Sequence, residues 1–216
     1  MRWDVILFDL DGTITDPKEG ITKSVAYALD YFGIRTENPD VLTHFIGPPL
    51  CESFMRYHGM DEDQAILALA KYRERYSTIG WKENTPYVGI AQLLKRLKET
   101  GKITAIATSK AQVYAIKILE HFGLDTYFDH ICGTPLDNPK QTKADVIRFA
   151  LQQTNVIDLS QAVMVGDRMH DVDGGHEVGL QTIGVLYGYG DRKELEDHGA
   201  DYIMESVTDL SKLLLE

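Results

Sequence analysis

The sequence runs to 216 residues, enough for one sizeable core plus a smaller appended unit. With 44% hydrophobic and 25% charged residues it reads as an ordinary globular chain, and a net charge of −11 excludes the basic footprint that nucleic-acid binding needs. An anionic ligand would therefore have to be held locally, by a metal ion, a lysine or backbone N–H groups, against the field of the whole molecule.

The first apolar run is Val5 to Phe8, closed at once by Asp9 and Asp11. It is too short and too acidic in its flank for a signal peptide or a membrane span, and it reads as a buried strand. From about Asp16 to Trp81 only helical patterns occur. Asp16-Pro17 reads as an N-cap with proline in the first turn, and Ile21, Val25, Leu29 and Phe32 line one helix face up to Gly33. A second helical stretch near Val41 to Phe45 is broken by Gly47-Pro48-Pro49, Leu50 to Tyr57 resumes, and Asp61 to Tyr76 makes a long helix. The strand–helix alternation then starts again. Ile90, Leu93, Leu94 and Leu97 form one helical face, Ile103 to Ala107 a strand, and Ala115, Ile118, Leu119 and Phe122 another face. A helix from Ala144 to Gln152 and strands at Ala162 to Val165 and Gln181 to Val185 complete the series.

The expected fold is α/β: a doubly wound, Rossmann-like parallel sheet of residues 1–15 and 82–216, with a small all-helical subdomain of residues 16–81 inserted after the first strand. Cys51 and Cys132 stand at no metal-ligand spacing and suggest no disulfide scaffold, so a cytoplasmic protein with two reduced thiols is expected.

Chemistry collects at the strand ends. In an extended segment residues two apart point the same way, so Asp9 and Asp11 can share one site at the carboxyl end of the first strand. Two carboxylates this close repel each other, and a divalent cation that prefers oxygen ligands, magnesium, would relieve both. The second strand ends in Thr108-Ser109-Lys110, where a hydroxyl and the N–H groups of the next helix suit a phosphate oxygen. The later strand ends in Gly166-Asp167-Arg168-Met169-His170-Asp171 and brings two more carboxylates. Lys140 and Lys143 both precede a helix and are rivals for the site lysine. Lys143 is preferred because it sits directly before the helix with an aspartate two residues on.

The ordered set Asp9-Leu10-Asp11-Gly12-Thr13, Thr108, Lys143 and Gly166-Asp167-x-x-x-Asp171 resembles the haloacid dehalogenase superfamily of phosphotransferases. The helical insert sits where that family carries a helical cap. Gly184-Val185-Leu186-Tyr187-Gly188-Tyr189-Gly190 and Gly199-Ala200-Asp201-Tyr202-Ile203 look like its phosphoglycolate phosphatase branch. The resemblance implies that Asp9 is the nucleophile and a metal ligand. Asp11 would be the acid and then the base, with its carbonyl on the metal. Thr108 would hold the phosphoryl oxygens and Lys143 would neutralise charge. Asp167 would bind Mg2+ directly, and Asp171 directly or through water. Relatives in this branch commonly have proline after the motif lysine, where this chain has Ala144.

The expected activity is Mg2+-dependent hydrolysis of a small phosphorylated metabolite, phosphoglycolate-like or a nucleotide 5′-monophosphate, through an aspartyl-phosphate. No nucleic-acid or membrane partner is expected. A sugar phosphomutase on the same core is the alternative. A receiver-type signalling domain fits poorly because it has no large cap, and a dehalogenase poorly because it needs neither the acid nor the metal. Substrate choice is expected to centre on Gly47, Pro48, Pro49 and Leu50 in the insert.

Overall fold

A computed structural model of the chain describes residues 3–136 and 141–216. It divides into two compact units, one of Met1–Asp16 with Pro86–Glu216 and one of Pro17–Thr85.

The first unit is built on a six-stranded sheet. Its strands are β1 (Val5–Phe8), β2 (Ile103–Ala111), β3 (His130–Thr134), β4 (Ala162–Gly166), β5 (Gln181–Val185) and β6 (Tyr202–Met204). They lie in the order β3-β2-β1-β4-β5-β6 and every neighbouring pair is parallel. All four residues of β1 are buried. Val5 and Leu7 pack with Ala105, Ala107, Met164, Val146, Ile147 and Ala150 on one face. Phe8, on the opposite face, meets Phe128 edge to face with ring centroids 6.3 Å apart. A central strand covered on both faces has no polar side to show, which is why it reads as an unbroken apolar run.

The two strands absent from the sequence reading, β3 and β6, are the sheet's two edges. Each has a neighbour on one side only, and neither is a continuous apolar run: β3 reads His-Ile-Cys-Gly-Thr and β6 is three residues long.

The second unit contains the helices α1 (Lys18–Tyr31), α2 (Leu50–His58) and α3 (Glu62–Tyr76). Its interior holds Val25, Ala28, Leu29, Phe45, Phe54, Ala65 and Ala68. Asp61 caps α3 in a capping box with Gln64, as its placement before an acidic first turn implies. Two expectations change here. Asp16 does not cap α1, because its carboxylate instead accepts the Tyr189 hydroxyl within the first unit. The stretch near Val41 is a 3-10 helix, Pro39–Phe45, capped by the Asn38 side chain.

The remaining helices are α4 (Ile90–Glu99), α5 (Gln112–Phe122), α6 (Lys143–Thr154), α7 (Met169–Val178), α8 (Arg192–Asp197) and α9 (Val207–Leu215). Among the described residues no helix is long and apolar enough to cross a membrane.

Candidate active site

Strand register brings three loops together. Phe8 is level with Ile106 on β2 and Val165 on β4, so Asp9, Thr108 and Asp167 follow the last paired residues within two positions. The Asp9 N–H continues the ladder to Val165 O at 2.9 Å. The chain then turns back on itself. Leu10 O accepts from the N–H groups of Ile14 and Thr15, and Gly12 N–H donates to Thr15 O at 2.8 Å. Gly12 has φ +85°, and a Cβ there would fall 2.1 Å from Asp167 Oδ2. Only glycine allows both that backbone and the approach of the carboxylate.

Asp9, Asp167 and Asp171 are all buried, and each offers a carboxylate oxygen within 4.8 Å of the others. Lys143 Nζ stands between two of them, 2.6 Å from Asp9 Oδ1 and 2.6 Å from Asp171 Oδ1. Lys143 opens α6, whose N-cap Thr142 forms a capping box with Asp145, the aspartate two residues beyond the lysine. Lys140, the rival, lies outside the described residues.

Asp171 occupies the first turn of α7 and its Oδ2 accepts the Arg168 N–H at 3.1 Å. Asp167 Oδ2 accepts the Tyr189 N–H at 2.7 Å, while its Oδ1 is buried with no partner.

Three clustered carboxylates, two of them paired with one ammonium, therefore share a site that water hardly reaches. Burial, reinforced by Asp171 and Asp9, pushes the Asp167 carboxyl well above the ordinary range. Burial likewise raises Asp171 to about 6, against the opposing pull of Lys143. For Lys143 burial alone would lower the pKa, but Asp171 and Asp9 outweigh it and hold the ammonium charged. An all-oxygen donor set, a surplus of negative charge and an unpartnered buried oxygen on Asp167 fit a hard divalent cation such as Mg2+.

The Asp11 carboxylate is not part of that group. Its Oδ2 lies 2.6 Å from Lys110 Nζ, and its Oδ1 is buried without a partner. Burial raises the Asp11 pKa, partly offset by Lys110. Thr108 is buried and its Oγ1 accepts the Lys110 N–H at 3.2 Å. The strand continues to Ala111, so Thr108 does not cap the following helix, which starts at Gln112. Ser109 is exposed, and its carbonyl accepts from Thr134 Oγ1 at 3.1 Å. Lys110 and Tyr189 belong to this site although the sequence reading gave neither a role. Lys110 directly follows the two hydroxyl residues at the strand end, and that adjacency was the available signal.

The Gly47-Pro48-Pro49-Leu50 segment lies in the second unit. It joins the 3-10 helix Pro39–Phe45 to α2, with Gly47 at φ +102° and Pro49 in the N-cap position of α2.

Known proteins share this architecture. Residues 6–185 match the family model described as haloacid dehalogenase-like hydrolase. The chain is 42% identical over 216 residues to a 5′-nucleotidase of Pseudomonas aeruginosa, covering 99% of this chain and 96% of that one. It is 42% identical over 186 residues to tyrosine-protein kinase PtkA of Mycobacterium tuberculosis, covering 86% of this chain and 63% of that one. Among solved structures, a predicted phosphatase from Clostridium acetobutylicum superposes with a TM-score of 0.95 at 47% identity, covering 100% of this chain and 99% of that one. With a family model, relatives and structural neighbours named as hydrolases or phosphatases, a parallel α/β core that gathers carboxylates at its strand ends is here that of a phosphatase-type hydrolase. The chain belongs to the haloacid dehalogenase-like hydrolase family.

Proposed function

We propose that this phosphatase is a Mg2+-dependent phosphomonoesterase that works through an aspartyl-phosphate on Asp9. The observation that carries the reading is the position of Lys143, 2.6 Å from both Asp9 and Asp171 beside Asp167. A phosphate dianion approaching a bare carboxylate is repelled, and a lysine fixed against that carboxylate offsets the repulsion. Asp9, Asp167 and Asp171, with the Asp11 carbonyl, would hold Mg2+, which supplies further charge neutralisation when bound.

In the first step an Asp9 carboxylate oxygen attacks phosphorus. The P–O bond to the leaving group breaks, and the leaving oxygen takes a proton from Asp11. In the second step Asp11 takes a proton from water as the water oxygen attacks phosphorus. The P–O bond to Asp9 breaks, inorganic phosphate leaves and the Asp9 carboxylate is restored. The raised pKa of Asp11 suits a group that must hold a proton before giving it up. The Thr108 hydroxyl and the Lys143 ammonium hold the phosphoryl oxygens, with Ser109, which follows Thr108 on β2, beside the Thr108 hydroxyl in sequence.

The substrate is a small phosphorylated metabolite. Similarity to the P. aeruginosa 5′-nucleotidase supports a nucleoside 5′-monophosphate. The resemblance of Gly184-Val185-Leu186-Tyr187-Gly188-Tyr189-Gly190 and Gly199-Ala200-Asp201-Tyr202-Ile203 to the phosphoglycolate phosphatase branch supports 2-phosphoglycolate. Equal identity to proteins named for hydrolysis and for tyrosine phosphorylation means that identity alone does not select the acceptor. The core is assigned to residues 1–15 and 82–216 and the cap to residues 16–81. Because the core groups recognise only a phosphoryl group, selectivity is assigned to the cap. The two unpaired cysteines suit work in the cytoplasm. Phosphate release across nucleoside monophosphates, sugar phosphates and 2-phosphoglycolate, with Mg2+ and after chelation, tests the proposal. Stoichiometric phosphate from one class, dependent on Mg2+, is expected. An isomerised sugar phosphate with little free phosphate would make the enzyme a mutase.

A further inference from the structure

Between β2 and β3 the ladder is interrupted. Ala107 is level with Cys132 and Ala111 with Thr134, so β2 spends four residues where β3 spends two. Thr108-Ser109-Lys110 therefore stand opposite the single residue Gly133, a surplus of two. Bulges of this kind re-aim a side chain beside a site, and this one is held at each residue. The Lys110 N–H donates to Thr108 Oγ1 at 3.2 Å. The Ser109 carbonyl accepts from Thr134 Oγ1 at 3.1 Å. Gly133 leaves room for the bulge, since a Cβ there would fall 2.6 Å from the Lys110 carbonyl oxygen and 2.8 Å from Gln112 Cα. The product is a half-buried lysine whose side chain is largely covered and whose ammonium lies 2.6 Å from Asp11 Oδ2, with Asp11 Oδ1 buried and unpartnered.

We infer that Lys110 is a positioning residue for proton transfer: it fixes Asp11 through Oδ2 and leaves Oδ1 as the oxygen that exchanges the proton with the leaving group and with water. The inference rests on the reading of Asp11 as acid and base. A carboxyl group with two equivalent rotatable oxygens presents either or neither to a bound ester. Pinning one oxygen on a lysine that is itself set by a bulge removes that freedom, and proton transfer needs such alignment within hydrogen-bond reach. Lys110 and Lys143 thus have separate tasks. Lys143 serves the oxygen that attacks, and Lys110 the group that protonates the oxygen that departs.

Leaving-group dependence tests this, because p-nitrophenolate departs without a proton and an alkoxide does not. The burst of leaving-group release, which reports the first step alone, is measured with Mg2+ for wild type, Lys110→Met, Lys110→Arg and Asp11→Asn. The substrates are p-nitrophenyl phosphate and an alkyl phosphate that the enzyme accepts. Lys110→Met is expected to lose about 10²-fold on the alkyl ester and less than about fivefold on the nitrophenyl ester, the scale of one general-acid contribution. Lys110→Arg should keep most of the alkyl rate. In the Asp11→Asn background the lysine change should add no further leaving-group-dependent loss. An equal fall on both esters, or a rise in KM with no change in burst rate, would make Lys110 a substrate-binding or structural residue and overturn the inference. If Asp11→Asn itself shows no leaving-group dependence, the reading of Asp11 fails instead. Should Lys110→Met lose its circular-dichroism signal, Gly133→Ala replaces it. That variant displaces the bulge without altering any charge, and it is expected to give the same pattern, weaker. An even loss on both esters there would refute the inference equally.

Discussion

Lys143 Nζ sits 2.6 Å from Asp9 Oδ1 and the same distance from Asp171 Oδ1, so a single ammonium bridges the proposed nucleophile and a proposed metal ligand. The pair is buried, and removing one member of a buried pair leaves an uncompensated charge. Lys143→Met is expected to lower kcat by about 10²–10³-fold, as the loss of one preorganised charge does. It should also lower the Tm of the metal-free protein, and Mg2+ should restore more Tm to the variant than to wild type. Thermal unfolding with and without the metal, alongside phosphate release, checks both. An unchanged kcat would remove Lys143 from the site.

Asp167 gives a prediction of opposite sign. Its carboxyl is held well above the ordinary range by burial, Asp171 and Asp9. An acid whose folded pKa exceeds its unfolded value, about 4, binds more protons folded than unfolded between the two. Its contribution to stability is then lost as pH rises through the folded pKa. Asp167→Asn carries no such charge at any pH. In chelator the Tm of the variant should exceed that of wild type by a margin that grows as pH rises above the ordinary carboxylate range, because only the wild type must ionise a buried carboxyl. The variant's activity should be lost. A gap in Tm that does not widen with pH would contradict the charge assignment.

Magnesium should be essential and calcium inhibitory. Calcium takes more oxygen ligands than magnesium, and each Asp9 oxygen given to a metal is one fewer for attack. Titrating Ca2+ into the Mg2+-loaded enzyme should reduce kcat competitively with respect to the metal. Full turnover after exhaustive chelation would refute the metal dependence.

Replacing Pro48 and Leu50 with alanine should change kcat/KM unequally among good natural substrates and affect p-nitrophenyl phosphate less. The prolines stiffen the step from the 3-10 helix to α2, with Pro49 at the N-cap of α2. A uniform fall across all substrates would make the segment an interhelical connector.

The interior strands β1, β2, β4 and β5 were legible because burial on both faces forces apolar runs, while the edge strands β3 and β6 carry no such demand. Asp9, Asp167, Asp171 and Lys143, picked out as strand-end and helix-start residues, are brought within a few ångströms. The place of Lys110 after Thr108 and Ser109 is visible in the sequence, but the direction of its side chain is not. That direction depends on a mismatch between β2 and β3, and a mismatch belongs to a pair of strands, so neither segment reveals it alone. The Asp16 expectation failed for a related reason: its carboxylate is taken by Tyr189, 173 residues away in the chain, a competitor that no local cap rule contains.

The central claim is covalent catalysis on Asp9, and trapping the phosphorylated enzyme tests it most directly. The enzyme is mixed with its best substrate and Mg2+, quenched during turnover and reduced with borohydride, which converts an acyl-phosphate to an alcohol. Peptide sequencing by mass spectrometry should find homoserine at position 9 in wild type. It should find none in Asp9→Asn, which should keep its circular-dichroism spectrum and have no turnover. Homoserine at another aspartate, or none anywhere while phosphate is being released, would contradict the account.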